Sequence, residues 1–372
     1  MVRISIPTLP PLPPLPPSAL TLLPAREAAS HLGEFLDKGK GKTVILTGAG
    51  VSVESGIRAY RGEDGTYSNP NYKPIMYQEL IQDSPTGRMF RKRYWARSFL
   101  GYPPVRDAQP NPTHIYIAAL QVLGLAPRLI TQNVDNLHPK ALNLVTSHLP
   151  SSSLSNSQIL ELHGTLAKVH CLEHSHTQPR DDFQAQLGHL NPLWQAKAEE
   201  SERTGDRPRT NPDGDVELPG ADFRDFTVPG CKICEAQGKG KDQGIVKPNV
   251  VFFGETLPTH VKDTSIQMLE SASQLLVIGT SLATYSAFRL VKQAHEQSLP
   301  ILMISQGPSR AERGIKGFGE QKMDRQAGPV LRAYLNELLK TNSGPEVEAV
   351  KRVLDQGVVK RPPEVEGPRA EG

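Results

Sequence analysis

Apolar residues in this chain gather into short unbroken runs rather than alternating with polar ones. Thr43 to Thr47 (TVILT), Arg128 to Thr131 (RLIT), Val246 to Phe253 (VKPNVVFF), Leu275 to Gly279 (LLVIG) and Pro300 to Ser305 (PILMIS) are the clearest. Runs of this length without alternation predict strands buried on both faces, as in a parallel sheet. His260 to Ser271 and Ala287 to Gln297 fall between them with apolar residues at helical spacing. Strand, helix, strand repetition predicts an α/β fold built on a doubly wound, Rossmann-type parallel sheet. The chain shows no internal repeat.

The ends break this pattern. Eight of the first 24 residues are proline (Pro7, Pro10, Pro11, Pro13, Pro14, Pro16, Pro17 and Pro24), which fixes extended backbone and withholds amide donors. Residues 1–25 are therefore expected to be a tail or targeting segment. Arg3 and the lack of any acid before Glu27 fit a mitochondrial (matrix) address, although the prolines spoil the amphipathic helix of such signals; otherwise the compartment is cytoplasmic or nuclear. The stretch 357–372 mixes Pro362, Pro363 and Pro368 with charges and no hydrophobic period, so it should be disordered. Leu149 to Ser157 and Ala196 to Asp215 are polar and read as surface insertions or linkers. The packed region is then 26–356, with Rossmann parts near 26–70, 105–165 and 244–340, a helical insert near 71–104 and a further module near 166–243.

Composition adds limits. With 42 Lys+Arg against 39 Asp+Glu the net charge is +3, which gives no electrostatic reason for a nucleic-acid partner. No stretch approaches the ~20 apolar residues of a membrane span, so no membrane partner is expected. Three cysteines, Cys171, Cys231 and Cys234, are too few and odd in number for a disulfide framework. Cys231-Lys232-Ile233-Cys234 has knuckle spacing for a metal, and Cys171-Leu172-Glu173-His174 repeats the gap upstream. Cys171, His174, Cys231 and Cys234 are the expected ligands of one structural zinc ion, with His176 or water as alternatives in the fourth place.

Three further segments carry candidate chemistry. The run Gly48-Ala49-Gly50-Val51-Ser52-Val53-Glu54-Ser55-Gly56 directly follows the first strand, where glycines let backbone amides approach a pyrophosphate at a helix start. A dinucleotide fits, although Val53 stands where the dehydrogenase fingerprint has its third glycine. Thr131 to His138 (TQNVDNLH) sets amide and carboxylate side chains at the end of a second strand, where α/β sheets bind ligands; Asn133 or Asp135 could also simply cap the next helix. His163-Gly164 closes a third apolar segment, and a histidine there suits general-base work.

Taken in order, GAGVSVESG, the YRG of Tyr60 to Gly62, TQNVD, His163-Gly164, the paired knuckles, VVFFGE at Val250 to Glu255 and GTSL at Gly279 to Leu282 resemble the sirtuin family of NAD-dependent protein deacylases. Arg91 to Arg97, QPNPTH at Gln109 to His114, LNP at Leu190 to Pro192 and PDGDV at Pro212 to Val216 resemble its mitochondrial sirtuin 4, or class II, branch. The resemblance implies a large Rossmann domain and a smaller zinc-binding and helical domain, with NAD and an acyl-lysine protein meeting in a cleft. It implies deacylation with release of nicotinamide and O-acyl-ADP-ribose, His163 serving as general base alongside Asn133 and Asp135. Protein ADP-ribosyltransfer from the same NAD site, or binding of NAD without turnover, are the alternatives.

By the same resemblance, Gly48, Ala49, Gly50, Ser52, Gly56, Tyr60, Arg61, Gln132, Asn133, Asp135, Gly279, Thr280, Ser281, Ser305, Gly307 and Ala327 hold the cofactor. Val251, Phe252, Gly254 and Glu255 receive the substrate peptide by strand addition. Tyr94 and Arg97, three apart, are similar to a pair that selects carboxylated acyl groups; the other reading of Arg97 is a structural ion pair. Arg58-Ala59-Tyr60-Arg61 lacks the carboxylate usual in the family's loop, and Ser305 replaces a usual asparagine.

Overall fold

A computed structural model describes residues 20–62, 65–69, 72–149, 158–238 and 244–356. The proline-rich start through residue 19, with the targeting role read from it, lies outside the described residues, as do 150–157 and the tail from 357. The strands are β1 (Thr43–Thr47), β2 (Arg128–Thr131), β3 (Ile159–Glu161), β4 (Gly164–Cys171), β5 (Thr177–Pro179), β6 (Val246–Val250), β7 (Gln274–Ile278), β8 (Ile301–Ile304) and β9 (Lys322–Met323). They form a six-stranded and a three-stranded sheet. Among the described residues the chain divides into two compact units, one from 20–68, 109–163 and 257–356, the other from 69–108 and 164–256.

In the first unit the strand order is β3-β2-β1-β7-β8-β9, with every pairing parallel. This is the doubly wound order that places ligand sites at the carboxyl ends of the strands. The lack of alternation in the sequence has a direct cause. Val44 and Leu46 enter one apolar layer with helices Thr259–Glu270 and Tyr285–Glu296, while Ile45 enters the opposite layer with Ala25–Gly39, Pro112–Val122, Leu137–Thr146, Ala327–Thr341 and Pro345–Asp355. Both faces are covered, so both must be apolar.

The packed unit begins earlier than the composition suggests. Leu20–Leu22 form a helical turn, and the Thr21 hydroxyl accepts from Asp324 N–H (2.8 Å) and donates to Lys322 O (3.2 Å). Arg325 donates to the carbonyls of Thr21 and Leu23. Residues 20–25 are therefore tied down rather than part of a tail.

The second unit holds the antiparallel sheet β5-β4-β6 and helices Tyr77–Ile81, Pro85–Asp107, Arg180–Leu190, Pro192–Thr204 and Lys232–Ala236. Its core is aromatic: Trp95, Phe99, Phe183, Trp194 and Phe226 are buried together. Two expectations are corrected here. The Val246 to Phe253 run is not a strand of the parallel sheet, because β6 pairs antiparallel with β4. A buried apolar run fits either setting, and its length does not say which sheet will receive it. Ala196 to Asp215 is not a linker throughout, since Pro192–Thr204 is helical and Asn211, Asp215 and Val216 are buried. Its polar composition is the solvated face of a helix that buries only Trp194.

Gly164 opens β4 at φ 79°, and a Cβ there would meet the carbonyl oxygen of Asn249 on the paired strand. Gly164→Ala should cost about 2–3 kcal/mol, measured as a lower urea midpoint with the native circular-dichroism spectrum retained.

Candidate active site and metal centre

The glycine turn after β1 is built against the turn after β7. Gly50 N–H donates to Gly279 O (2.9 Å), and Gly48 N–H donates to Ile278 O (3.2 Å). A Cβ at Gly48 would lie 2.6 Å from the Thr280 Cβ, and one at Gly279, which sits at φ 59°, would lie 2.9 Å from Val51 N. The backbones approach this closely only without side chains. The helix expected after the turn does not form directly: Ala49–Val51 and Val53–Ser55 are separate 3₁₀ turns, and Gly56 at φ 82° ends the second. Asn136 (φ 62°) and Leu282 (φ 54°) hold strained backbone in the loops after β2 and β7.

A buried polar network joins these loops. The Ser52 hydroxyl donates to Asp135 Oδ2 (2.7 Å) and accepts from Asn133 Nδ2 (3.0 Å), which also reaches Gly48 O (3.2 Å). Asp135 Oδ1 accepts from Leu137 N–H (2.9 Å) at the start of the next helix. Asp135 thus does bond the first amide of the next helix, as the capping reading expects. Burial raises the Asp135 carboxyl above its ordinary value, and the Leu137 and Ser52 donors oppose that rise. His114 completes the set. Its Nδ1 accepts from Asn111 N–H (3.3 Å) within a capping box, so Nε2 carries the proton toward Ser52 Oγ (3.3 Å). Nothing in the spacing of QPNPTH singled out Asn111 or His114; the signal was the Asn-Pro start of a helix.

His163 follows β3. Its Nδ1 lies 3.0 Å from Gln132 O, which can only accept, so Nδ1 bears the hydrogen and Nε2 keeps its lone pair. The Ser286 hydroxyl, not anticipated from sequence, donates to Nε2 at 2.8 Å. Burial pushes the imidazole down to about 4 despite the Gln132 hydrogen bond, so it is neutral near pH 7. Gln132 in turn donates to Thr47 O (3.1 Å) and Thr280 Oγ1 (2.9 Å).

The remaining expected cofactor residues also fall in the first unit. Ser305 donates to Thr280 O (3.1 Å), and Ser281 O accepts from Arg310 N–H (2.9 Å). Gly307 at φ 77° is held through its N–H by Asp324 (2.7 Å) and through its carbonyl by the buried Lys322 (2.5 Å). Ala327 starts the helix Ala327–Thr341. Tyr60 stacks near Tyr67 (5.2 Å), over which Arg61 also sits (5.3 Å).

The second unit contains the cysteines, all free and buried. The donor atoms of Cys171, His176, Cys231 and Cys234 lie within 4.8 Å of one another. The hairpin explains why His176 joins them: Cys171 N–H donates to His176 O (2.8 Å), with Ser175 at φ 55° turning the chain. His174, first expected in this place, sits at the turn with Nδ1 3.4 Å from Cys234 Sγ alone. Gly244, at φ 82°, leaves room that a Cβ would take from Cys171 Sγ (2.8 Å). The donor set fits zinc. Three thiolates and an imidazole are an established tetrahedral set, and the 3.8 Å between Cys171 and Cys234 Sγ matches the ~3.8 Å edge implied by ~2.3 Å Zn–S bonds.

The expected substrate residues of this unit are engaged internally. Glu255 pairs with buried Lys247 (3.1 Å) and accepts from Phe252 N–H (2.8 Å). Gly254 is at φ 79°, where a Cβ would crowd the Gln78 side chain at 2.8 Å. Phe253 O accepts from Tyr77 N–H (3.0 Å), and Val251 is partly exposed beside it. Tyr94 is buried against Trp95 and Phe252, and Arg97 is ion-paired with Asp215.

The model of the Sir2 family matches residues 48–286. An NAD-dependent protein deacylase of Batrachochytrium dendrobatidis is 43% identical over 77% of this chain and 88% of its own. The mitochondrial NAD-dependent protein lipoamidase sirtuin-4 of Homo sapiens is 36% identical over 77% of this chain and 80% of its own. A solved structure of a Sir2 enzyme, 28% identical, superposes with a TM-score of 0.54 over 88% of this chain and 98% of that one.

Ser52→Ala would leave the buried Asp135 with one donor fewer, remove one of the two acceptors of Asn133 Nδ2 and take the Ser52 oxygen from His114 Nε2. The expected loss is about 1–3 kcal/mol, read from urea unfolding; an unchanged midpoint would show that the network contributes nothing to stability.

Proposed function

The chain belongs to the Sir2 family, and from that membership we propose that it is an NAD-dependent protein-lysine deacylase, acting on acylated proteins and releasing nicotinamide and O-acyl-ADP-ribose. One observation carries the reading: His163 is neutral, with its Nε2 lone pair directed by the Gln132 carbonyl and an exchangeable hydroxyl partner. A general base must be unprotonated and correctly oriented before it can act.

The cofactor-binding residues are assigned to the loops after β1, β2, β7 and β8. Gly48, Ala49, Gly50, Ser52, Gly56, Tyr60 and Arg61 would cradle NAD from one strand end. Gln132, Asn133 and Asp135, Gly279, Thr280 and Ser281, and Ser305, Gly307 and Ala327 would do so from the others. The cradle is supported by Gly48 and Gly50, where a side chain would fill the space between loops. NAD supplies the glycosidic bond whose cleavage drives transfer. Asn133 and Asp135 would orient polar groups at that bond, and the His163 Nε2 lone pair would accept a proton from a ribose hydroxyl. Val251, Phe252, Gly254 and Glu255 form the peptide-receiving segment, with Lys247 holding Glu255 in place.

Zinc is assigned to Cys171, His176, Cys231 and Cys234, fastening the Cys171–His176 hairpin to the Cys231–Cys234 knuckle. A mitochondrial location is supported by the sirtuin-4 relatives of Bos taurus and Homo sapiens, which are mitochondrial proteins.

Incubation with NAD and acyl-lysine peptides should release nicotinamide and remove the acyl mass; mass added to protein instead would select ADP-ribosyltransfer. His163→Ala should abolish nearly all deacylated product while leaving metal content intact. The acid limb of kcat/KM should lie near pH 4 rather than near 6.5, because the base works only when neutral and its pKa is lowered. For the metal, His176→Ala should lose zinc to a mild chelator and lower the unfolding temperature, whereas His174→Ala should retain one zinc per chain; the reverse order would return the fourth place to His174.

A further inference from the structure

The strand β9 (Lys322–Met323) ends the six-stranded sheet and is only two residues long, so its ladder to β8 gives it little hold. Its side chains and flanks supply the rest. Lys322, its side chain 2% exposed, commits all three ammonium hydrogens inside the protein: Nζ donates to Gly307 O (2.5 Å), to Glu312 Oε2 (3.1 Å) and to Asp324 Oδ2 (3.4 Å). Glu312 is itself 5% exposed, and a lysine at this depth is stable only beside such carboxylates.

The same two carboxylates reach past the lysine to the loop after β8. Asp324 Oδ1 accepts from Gly307 N–H (2.7 Å), and Glu312 Oε2 accepts from Ser309 N–H (2.7 Å). Three backbone atoms of the loop, Gly307 N, Gly307 O and Ser309 N, are thereby fixed by one group of charges. The start of the loop is tied inward, since Ser305 N–H donates to Met323 O (3.2 Å) and the Ser305 hydroxyl to Thr280 O (3.1 Å). An outer brace completes the arrangement. The Thr21 hydroxyl bonds both Lys322 O and Asp324 N–H, while Arg325 bonds the carbonyls of Thr21 and Leu23.

The strand order reverses between β1 and β7, and in such sheets a dinucleotide lies across the crevice at the reversal, outside the carboxyl ends of the strands. The loop after β8 stands at that end, one strand beyond β7. We propose that Lys322 is a positioning residue for the cofactor: through Glu312, Asp324 and Gly307 O it holds the loop after β8 in its NAD-binding arrangement, with residues 20–23 as the outer brace. The proposal rests on the NAD-binding reading of that loop and does not require deacylation.

The test measures NAD binding to the full chain by calorimetry, together with amide hydrogen exchange over residues 305–309. Lys322→Met should weaken NAD binding by about tenfold or more and speed exchange in that loop. In peptide deacylation it should raise the KM for NAD and leave kcat within about twofold of wild type. A lysine that served stability alone predicts something different. In Lys322→Met with Glu312→Gln the unpaired buried charge is gone, so the unfolding temperature should return toward wild type while NAD binding stays weakened. Thr21→Val, which takes two hydrogen bonds from the brace, should weaken NAD binding about threefold and serves where the lysine variants fail to fold. Unchanged NAD affinity in a folded variant, unchanged exchange, or recovery of NAD binding along with stability in the double variant would each overturn the proposal. Wild type that binds no NAD removes the cofactor reading and this proposal with it. Wild type that binds NAD but deacylates no peptide, with the variants weakened as expected, removes the deacylase reading alone.

Discussion

Asp135 places a carboxylate at 6% exposure at the end of a buried parallel strand, and much of the first unit's site is arranged around that charge. An unpaired buried carboxylate is costly, so donors must be brought to it. Leu137 supplies one from the next helix and Ser52 the other from the turn after β1. Fixing Ser52 fixes the glycine turn, and the turn can reach that position only by passing close to Gly279 and Thr280. One electrostatic requirement therefore sets the mutual position of three loops. Asn133 and His114 then use the remaining lone pairs of Ser52, which leaves little freedom in the assembly.

The second unit solves a related problem with a smaller core. Its aromatic cluster is supplemented by polar fastenings: Lys247 to Glu255, Arg97 to Asp215, and the cysteine and histidine group. Small modules with limited apolar surface are commonly held by metal or ion pairs, and here the Arg97–Asp215 pair and the cysteine and histidine group join segments distant in sequence. The same economy has a functional side. Lys247 and the Phe252 N–H hold the Glu255 carboxylate, and with it the backbone of the segment proposed to receive the peptide.

Much of this was legible in the chain itself. Five uninterrupted apolar runs gave four strands of the parallel sheet, because a sheet covered on both faces leaves no polar alternation. The glycines at 48, 50 and 279, the TQNVD segment and His163 were marked by residue type at strand ends, where backbone approach and polar side chains have few other uses. The knuckle spacing of Cys231 and Cys234 located a metal site, since two thiolates two residues apart can share an ion.

What remained hidden was decided by neighbours distant in sequence. The strand at Val246–Val250 joined the antiparallel sheet because β4 offered it an edge, which no local pattern records. His176 rather than His174 stands opposite Cys171 because hairpin register brings it there. Ser286 meets His163, His114 meets Ser52 and Asp215 meets Arg97 across 123, 62 and 118 positions respectively. The sequence by itself determined which chemistry the chain carries and where strands end, because periodicity and residue type are local properties. Only the tertiary structure decided which groups neutralise, orient or occupy one another, because burial and pairing are properties of the folded chain.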